Sequence, residues 1–262
     1  MRIDKGDCVR KKLDNLKNNL KNRNPEEIIQ FVLKEFGIKD IVFSSSLGLE
    51  DQVLTDMILK IEPEARIMTL DTGRLFQETY ALIQKTMKKY SMKYEIYFPD
   101  TAEVEKIVRE NGPDLFYEKS EYRKLCCHIR KILPLKRALK DVKAWICGLR
   151  QDQSEDRREI DVIEWDENFE IFKINPLYQW SYEDVWKYVR EKEVPYNELH
   201  DKGFISIGCA PCTRAVCEGE DFRSGRWWWE KGSKKECGLH LNQKTEVKKG
   251  GKIWIEYKNL KP

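Results

Sequence analysis

The chain has 262 residues, with 48 Lys plus Arg against 45 Asp plus Glu and a net charge of +3. That balance excludes a global basic field for nucleic acid, and no run of about 18 apolar residues is present to span a membrane. The start, Met1-Arg2-Ile3-Asp4-Lys5, is charged with no apolar run behind it, so no secretory leader is expected and a cytoplasmic location is. There, eight cysteines read as metal ligands or reactive thiols, not as a disulfide framework.

Leu13, Leu16 and Leu20 fall at helical spacing and predict a helix over Val9 to Leu20. Asn24-Pro25-Glu26-Glu27 is a helix start, with Asn as cap, Pro at the first position and acids in the first turn. That helix should run to about Phe36, with Gly37 closing it. Asp40-Ile41-Val42-Phe43 is a short apolar run of the buried parallel-strand type. It leads into a small-residue loop, Ser44-Ser45-Ser46, and a helical pattern through Leu59. Arg66 to Leu70 predicts a second strand, ending at Asp71-Thr72-Gly73. A helix over about Phe76 to Tyr90, a strand over Tyr94 to Phe98 and a strand over Ala144 to Cys147 follow. This alternation predicts an α/β fold with a mostly parallel sheet flanked by helices. Ligands of such sheets bind at the carboxyl ends of strands, where the Ser loop, the Asp71 turn and Gly148-Leu149-Arg150 lie. Beyond about Asp201 the rhythm fades. Lys249-Gly250-Gly251-Lys252 predicts a small hairpin near the end, within a stretch of six Lys against two Glu over 241–262.

The most informative residues are cysteines. Cys126-Cys127 and Cys209-x-x-Cys212 form two tight pairs, and four thiolates suit zinc or an iron–sulfur cluster. Directly adjacent ligands favour the cluster, because zinc sites space both pairs more widely. Cys237 stands apart, with Lys234 and Lys235 before it and His240 after it; nearby cations raise a thiol's anionic fraction. Cys8 and Cys217 have no pattern, and Cys147 reads as core. Ser44, Ser45 and Ser46 read either as an anion site or as a plain helix cap, without the P-loop signature. Arg223 and Arg226 suit phosphate or sulfate, or a solvated surface. Lys131 lies one helical turn beyond Cys127 if that segment is helical. Trp227-Trp228-Trp229 cannot all face one way.

In this order, these segments resemble the assimilatory adenylyl-sulfate reductases, the iron–sulfur branch of the phosphoadenylyl-sulfate reductase family. The carriers are Ser44 to Leu54, Leu70-Asp71-Thr72-Gly73, Cys126-Cys127-His128-Ile129-Arg130-Lys131, Gly148-Leu149-Arg150, Tyr196 to Asp201, Ile205 to Cys212, Arg223 to Glu230 and Glu236-Cys237-Gly238-Leu239-His240. The resemblance implies a Rossmann-like adenine-nucleotide α-hydrolase fold. It implies a [4Fe-4S] cluster on Cys126, Cys127, Cys209 and Cys212. Substrate would meet Ser44, Ser45, Ser46, Leu70, Lys131, Gly148, Arg150, Arg157, Arg223, Arg226 and His240. Cys237 would attack the sulfur of adenylyl sulfate and expel AMP, and thioredoxin or a similar dithiol would release sulfite. A homo-oligomer is expected, without nucleic acid or membrane. The expected division is a nucleotide-binding reductase domain over 1–230, a mobile catalytic-cysteine segment over 231–240 and a basic extension over 241–262. The 22 residues past His240 depart from many members and are too short for a fused thioredoxin-like domain. Competing readings are the 3′-phosphorylated substrate, a metal-stabilised nucleotide-binding or RNA-thiolation protein, and a nucleotide sensor without catalysis.

Overall fold

A computed structural model describes residues 5–230. Cys237, His240, the segment 231–240 and the hairpin expected within 241–262 lie outside the described residues. Two helices lead, α1 (Lys5–Leu20) and α2 (Pro25–Phe36). The second begins as its sequence requires. Asn24 accepts from the Glu27 amide while the Glu27 carboxylate accepts from the Asn24 amide, a reciprocal cap, and Gly37 ends it at φ +81°.

The sheet contains β1 (Ile41–Ser45), β2 (Ile67–Leu70), β3 (Glu95–Tyr97), β4 (Ala144–Ile146), β5 (Ile163–Asp166) and β6 (Ile171–Ile174) in the order β3-β2-β1-β4-β6-β5. All neighbours pair in parallel except β5, which runs antiparallel to β6. The chain winds outward from β1 in both directions, so the switch point lies between β1 and β4, where a crevice forms at the strand ends. The remaining helices are α3 (Leu49–Ile61), α4 (Gln77–Tyr90), α5 (Thr101–Asn111), α6 (Ser120–Cys127), α7 (Leu133–Ala138) and α8 (Tyr182–Glu191). Among the described residues no helix is long and apolar enough to cross a membrane.

One sheet face buries Phe43, Ile67, Ile146 and Ile174 with side chains of α1, α2, α3 and α8. The other packs Val42, Met68 and Trp145 against Leu135 and Ala138 of α7. Each such fully buried aliphatic contributes about 1.5–3 kcal/mol relative to exposure. A third apolar cluster stands beside the sheet: Ile107, Leu115, Phe116, Ile129 and Trp227 surround Cys127, Cys209 and Cys212. Helix α3 is buried on nearly all sides, and several of its polar residues bond internally. Asp56 accepts from the Tyr90 and Tyr188 hydroxyls and from Lys60, which ties α3 to α4 and α8.

Two boundaries differ from the sequence expectation. Ser44 and Ser45 finish β1 and do not belong to the loop, because the strand stays paired with β2 as far as Ser45↔Thr69. Helix α3 then starts at Leu49 with Gly48 as its cap. Lys131 does not sit on a regular α-turn either: His128–Ile132 is a π-helical turn, with the Leu133 amide reaching the His128 carbonyl.

Candidate active site

The crevice is built from three strand ends. After β1, Ser46 and Leu47 form a turn in which Leu47, fully buried, adopts φ +63°, a conformation that costs a non-glycine residue about 1 kcal/mol or more. The turn is fastened by Asp51 from the first turn of α3. Asp51 Oδ2 accepts from both the Ser46 amide and the Ser46 hydroxyl, each at 2.6 Å. The Ser45 hydroxyl accepts from the Leu47 amide. The cap of α3 makes no side-chain hydrogen bond, so the helix presents backbone N–H groups to the crevice, the arrangement that favours an anion.

After β4, Gly148 passes so close to Asp51 that a Cβ on it would lie 2.1 Å from Asp51 Oδ1. Arg150, expected at the substrate, is completely buried. Its Nε donates to Glu50 Oε1 at 2.9 Å and its Nη1 to the Trp180 carbonyl at 3.1 Å. Its guanidinium lies 5.9 Å from both the Tyr182 and Phe222 rings. It is therefore a strut: α3 holds it on one side, and it holds Phe222, and with that the loop bearing Arg223, on the other. Arg157 is buried as well and donates to Gln153. Arg223 is half-buried at the rim of that loop.

The third strand end, β2, joins the crevice to the cysteines. Leu70 closes the strand, and Asp71 accepts from the Gly73 amide and the Tyr80 hydroxyl. The Thr72 hydroxyl lies 3.2 Å from Cys209 Sγ, and the Thr72 carbonyl accepts from Arg130 Nη1 at 2.7 Å. The Arg74 carbonyl accepts from the Ala210 amide.

Beyond this loop, Cys126, Cys127, Cys209 and Cys212 line one cavity together with Arg74, Arg123, Arg130, Lys131 and Trp227. Two cysteines come from the end of α6 and two from a 3-10 turn, separated by some eighty residues of chain. Among the described residues, no group of His, Cys, Asp or Glu side chains is disposed to hold a metal ion. The four thiols line one common space. Burial alone would push the Cys209 thiol up, but Lys131, the Thr72 hydroxyl, Arg226 and Arg130 together hold it below the ordinary thiol range. Burial and the neighbouring Cys209 push Cys212 up to about 12, and burial raises Cys126. Of these thiols only Cys209 is drawn towards the thiolate by the surrounding cations.

Arg226 belongs to this second centre. Nearly buried, it packs 4.8 Å over the Trp227 ring and lies against Gly208, where a Cβ would meet its Nη2 at 2.3 Å. The three tryptophans separate as their adjacency demands: Trp227 is buried at φ +45°, Trp228 is exposed and Trp229 is half-buried with its indole N–H on the Phe116 carbonyl.

Residues 40–215 match the phosphoadenosine phosphosulfate reductase domain. The chain belongs to this family. A relative from Allochromatium vinosum named adenosine 5'-phosphosulfate reductase is 48% identical over 217 residues, 83% of this chain and 84% of its own. One of the same name from Burkholderia cepacia is 47% identical over 207 residues, 79% of this chain and 83% of its own. The crystal structure of phosphoadenylyl-sulfate reductase from Candida auris, in a phosphate complex, superposes with a TM-score of 0.67. It is 30% identical over 82% of this chain and 99% of that one. The α/β sheet with the Rossmann-like nucleotide fold is thus the family's own.

Sequence reasoning singled out Lys131 among the cations of the cysteine cavity but not Arg74, Arg123 or Arg130. It placed Asp51 within a matching segment without giving it a role. In a chain this rich in Lys and Arg, the adjacency of Arg130 to Lys131 was the one available signal.

Proposed function

We propose that this chain reduces adenylyl sulfate to sulfite and AMP, as an oxidoreductase of sulfate assimilation. The observation that carries the reading is the Thr72 loop at the end of β2, whose hydroxyl lies 3.2 Å from Cys209 Sγ and whose carbonyl takes Arg130 Nη1. The cysteine cavity thereby adjoins a strand end of the nucleotide sheet.

In this reading the phosphate and sulfate of the substrate lie over the N-terminus of α3 and the end of β1 at Ser44, Ser45 and Ser46, with Lys131 and Arg223 offsetting charge. The Cys237 thiolate attacks the sulfur. The S–O bond to the phosphate breaks, and AMP leaves with the bridging oxygen and its electron pair. Cys237 then carries a thiosulfonate. One thiol of thioredoxin or a similar dithiol attacks Cys237 Sγ, sulfite departs with the S–S electron pair, and the reductant closes to its own disulfide. His240 is assigned to the substrate alongside Cys237. Cys126, Cys127, Cys209 and Cys212 would hold a [4Fe-4S] cluster. When bound, it supplies a cross-link between α6 and the Cys209–Cys212 turn and a fixed charge balanced by Lys131, Arg130 and Arg74. Residues 1–230 form the nucleotide-binding unit, 231–240 the segment bearing the nucleophile and 241–262 an extension; we place the protein in the cytoplasm as a homo-oligomer.

A second reading, with the 3′-phosphorylated nucleotide as substrate, draws on the likeness to the Candida auris enzyme. One experiment separates them: intact mass after anaerobic incubation with either nucleotide, reductant absent. A sulfite adduct on Cys237 from adenylyl sulfate alone is expected. An adduct from both substrates makes the enzyme dual in specificity, and an adduct from neither overturns the reductase reading.

A further inference from the structure

Glu50 and Asp51 open α3 side by side and serve different segments. Glu50 takes Arg150 of the turn after β4, with Arg150 Nη2 2.8 Å from Oε1. Asp51 takes both donors of Ser46 after β1, and Gly148 after β4 lies against its other oxygen. Two consecutive acids thus fasten the two walls of the crevice across the switch point between β1 and β4.

Asp51 is an unusual choice for purely structural work. It is only 5% exposed, and its hydrogen-bond partners are neutral groups. Burial pushes its acidity up to about 6 despite the Ser46 hydrogen bonds, with Glu50 adding to the rise. A carboxylate is nonetheless the group the position asks for. The Ser46 hydroxyl and amide and the Gly148 backbone converge on it, and an ionised carboxylate alone is acceptor at both ends. Asn has the same shape but turns an NH2 towards one wall.

We propose that Asp51 is a positioning residue for the reaction: it sets the separation of the Ser46 turn and the Gly148 turn, and so the fit of the crevice to an adenine nucleotide, without touching the nucleotide. This role rests on the nucleotide reading above.

The test uses the full chain as wild type, D51N, D51A, G148A and D51A/G148A. AMP affinity is titrated calorimetrically, and KM and kcat are measured with adenylyl sulfate. D51N and G148A should each weaken AMP binding at least about ten-fold and raise KM in step, while kcat at saturation changes less than about three-fold. D51A/G148A should bind better than the product of the single effects, because removing the carboxylate vacates the space the new methyl needs. D51N that binds AMP within two-fold of wild type overturns the role, whatever its melting temperature. Strictly multiplicative effects in the double variant overturn it too. If D51N does not fold, G148A reads the same contact with the acid still in place. Wild type that binds neither AMP nor adenylyl sulfate overturns the nucleotide reading itself, a result distinct from equal binding by wild type and D51N.

Discussion

Arg123 and Glu230 form a two-pronged ion pair, Nε to Oε1 and Nη2 to Oε2, both at 2.9 Å, with side chains 1% and 6% exposed. Arg123 also stacks 4.5 Å over the Trp227 ring and lines the cysteine cavity. The pair therefore fastens Glu230 to α6, the helix that ends in Cys126 and Cys127. Cys237 follows seven positions later (237 − 230), and seven residues span at most roughly 25 Å when extended. In the proposed reaction, the anchor sets the origin from which Cys237 would reach substrate.

Replacing Glu230 by Gln should leave a buried guanidinium without its counter-charge. Breaking one side of a buried pair costs about 3–5 kcal/mol, which urea denaturation of E230Q measures directly. Turnover with adenylyl sulfate should fall while AMP affinity stays near wild type, because the crevice lies on other strand ends. A variant with unchanged stability and unchanged turnover would remove the anchor from the mechanism.

The parts of the fold legible in the sequence were those written in local chemistry. Helix α2 carries its own cap, and the apolar runs at Ile41, Ile67 and Ala144 have the composition of strands buried on both faces. The β5–β6 hairpin was not legible, because its turn lacks an Asn-Gly or Gly-Gly signature. Asp166 instead accepts from the Asn168 and Phe169 amides, a side-chain-made turn, and Glu170 takes φ +53°. In the site, the cysteine pairs were legible because thiols are rare and their spacing is chemical. The Glu50 partner of Arg150 was not legible because it lies a hundred positions away; a polar loop after a strand looks the same whether or not its arginine also meets a buried acid. Arg123 and Arg130 were hidden for a related reason, since nothing local separates them from surface cations.

Cys209 is the cysteine that touches the loop after β2, through its Thr72 contact. C209A should abolish cluster loading, read as iron and sulfide per chain and as loss of visible absorbance. The Cys209–Cys212 turn should loosen, since the four-thiol set is broken. Full iron content in C209A would show the ligand set to be wrong. C237S, by contrast, should retain iron and AMP binding and lose turnover; loss of its chromophore would merge the two roles assigned here.

Gly208 is a steric prediction. It has no room for a methyl beside Arg226, whose guanidinium is buried over Trp227. G208A should displace Arg226 and lower both iron retention and turnover, by an amount typical of overpacking, about 1–3 kcal/mol in stability. The R226K/G208A pair should recover part of the stability, because Lys is slimmer at that point. Equal losses in G208A and the pair would place the strain elsewhere.

Asp51 makes a signed prediction about pH. Its folded acidity is about 6 against an ordinary 3.8, so the folded chain keeps a proton that the unfolded chain has lost. Stability from this group is therefore full below pH 4 and declines as pH rises towards 6. The shift corresponds to about 3 kcal/mol at 1.36 kcal/mol per unit. The groups facing it are Glu50, which favours the protonated form, and Tyr94 and Cys147, which carry no charge over this range and each feel the Asp51 charge. Burial also raises Glu164 and Asp166, and these bend the wild-type profile the same way. The difference between D51N and wild type cancels them. Measured by urea unfolding, that difference should move in favour of D51N by up to about 3 kcal/mol between pH 4 and pH 6.5, and then level off. A difference flat across that window would mean that Asp51 is not a buried, desolvated carboxylate, and its hold on the two crevice walls would need another explanation.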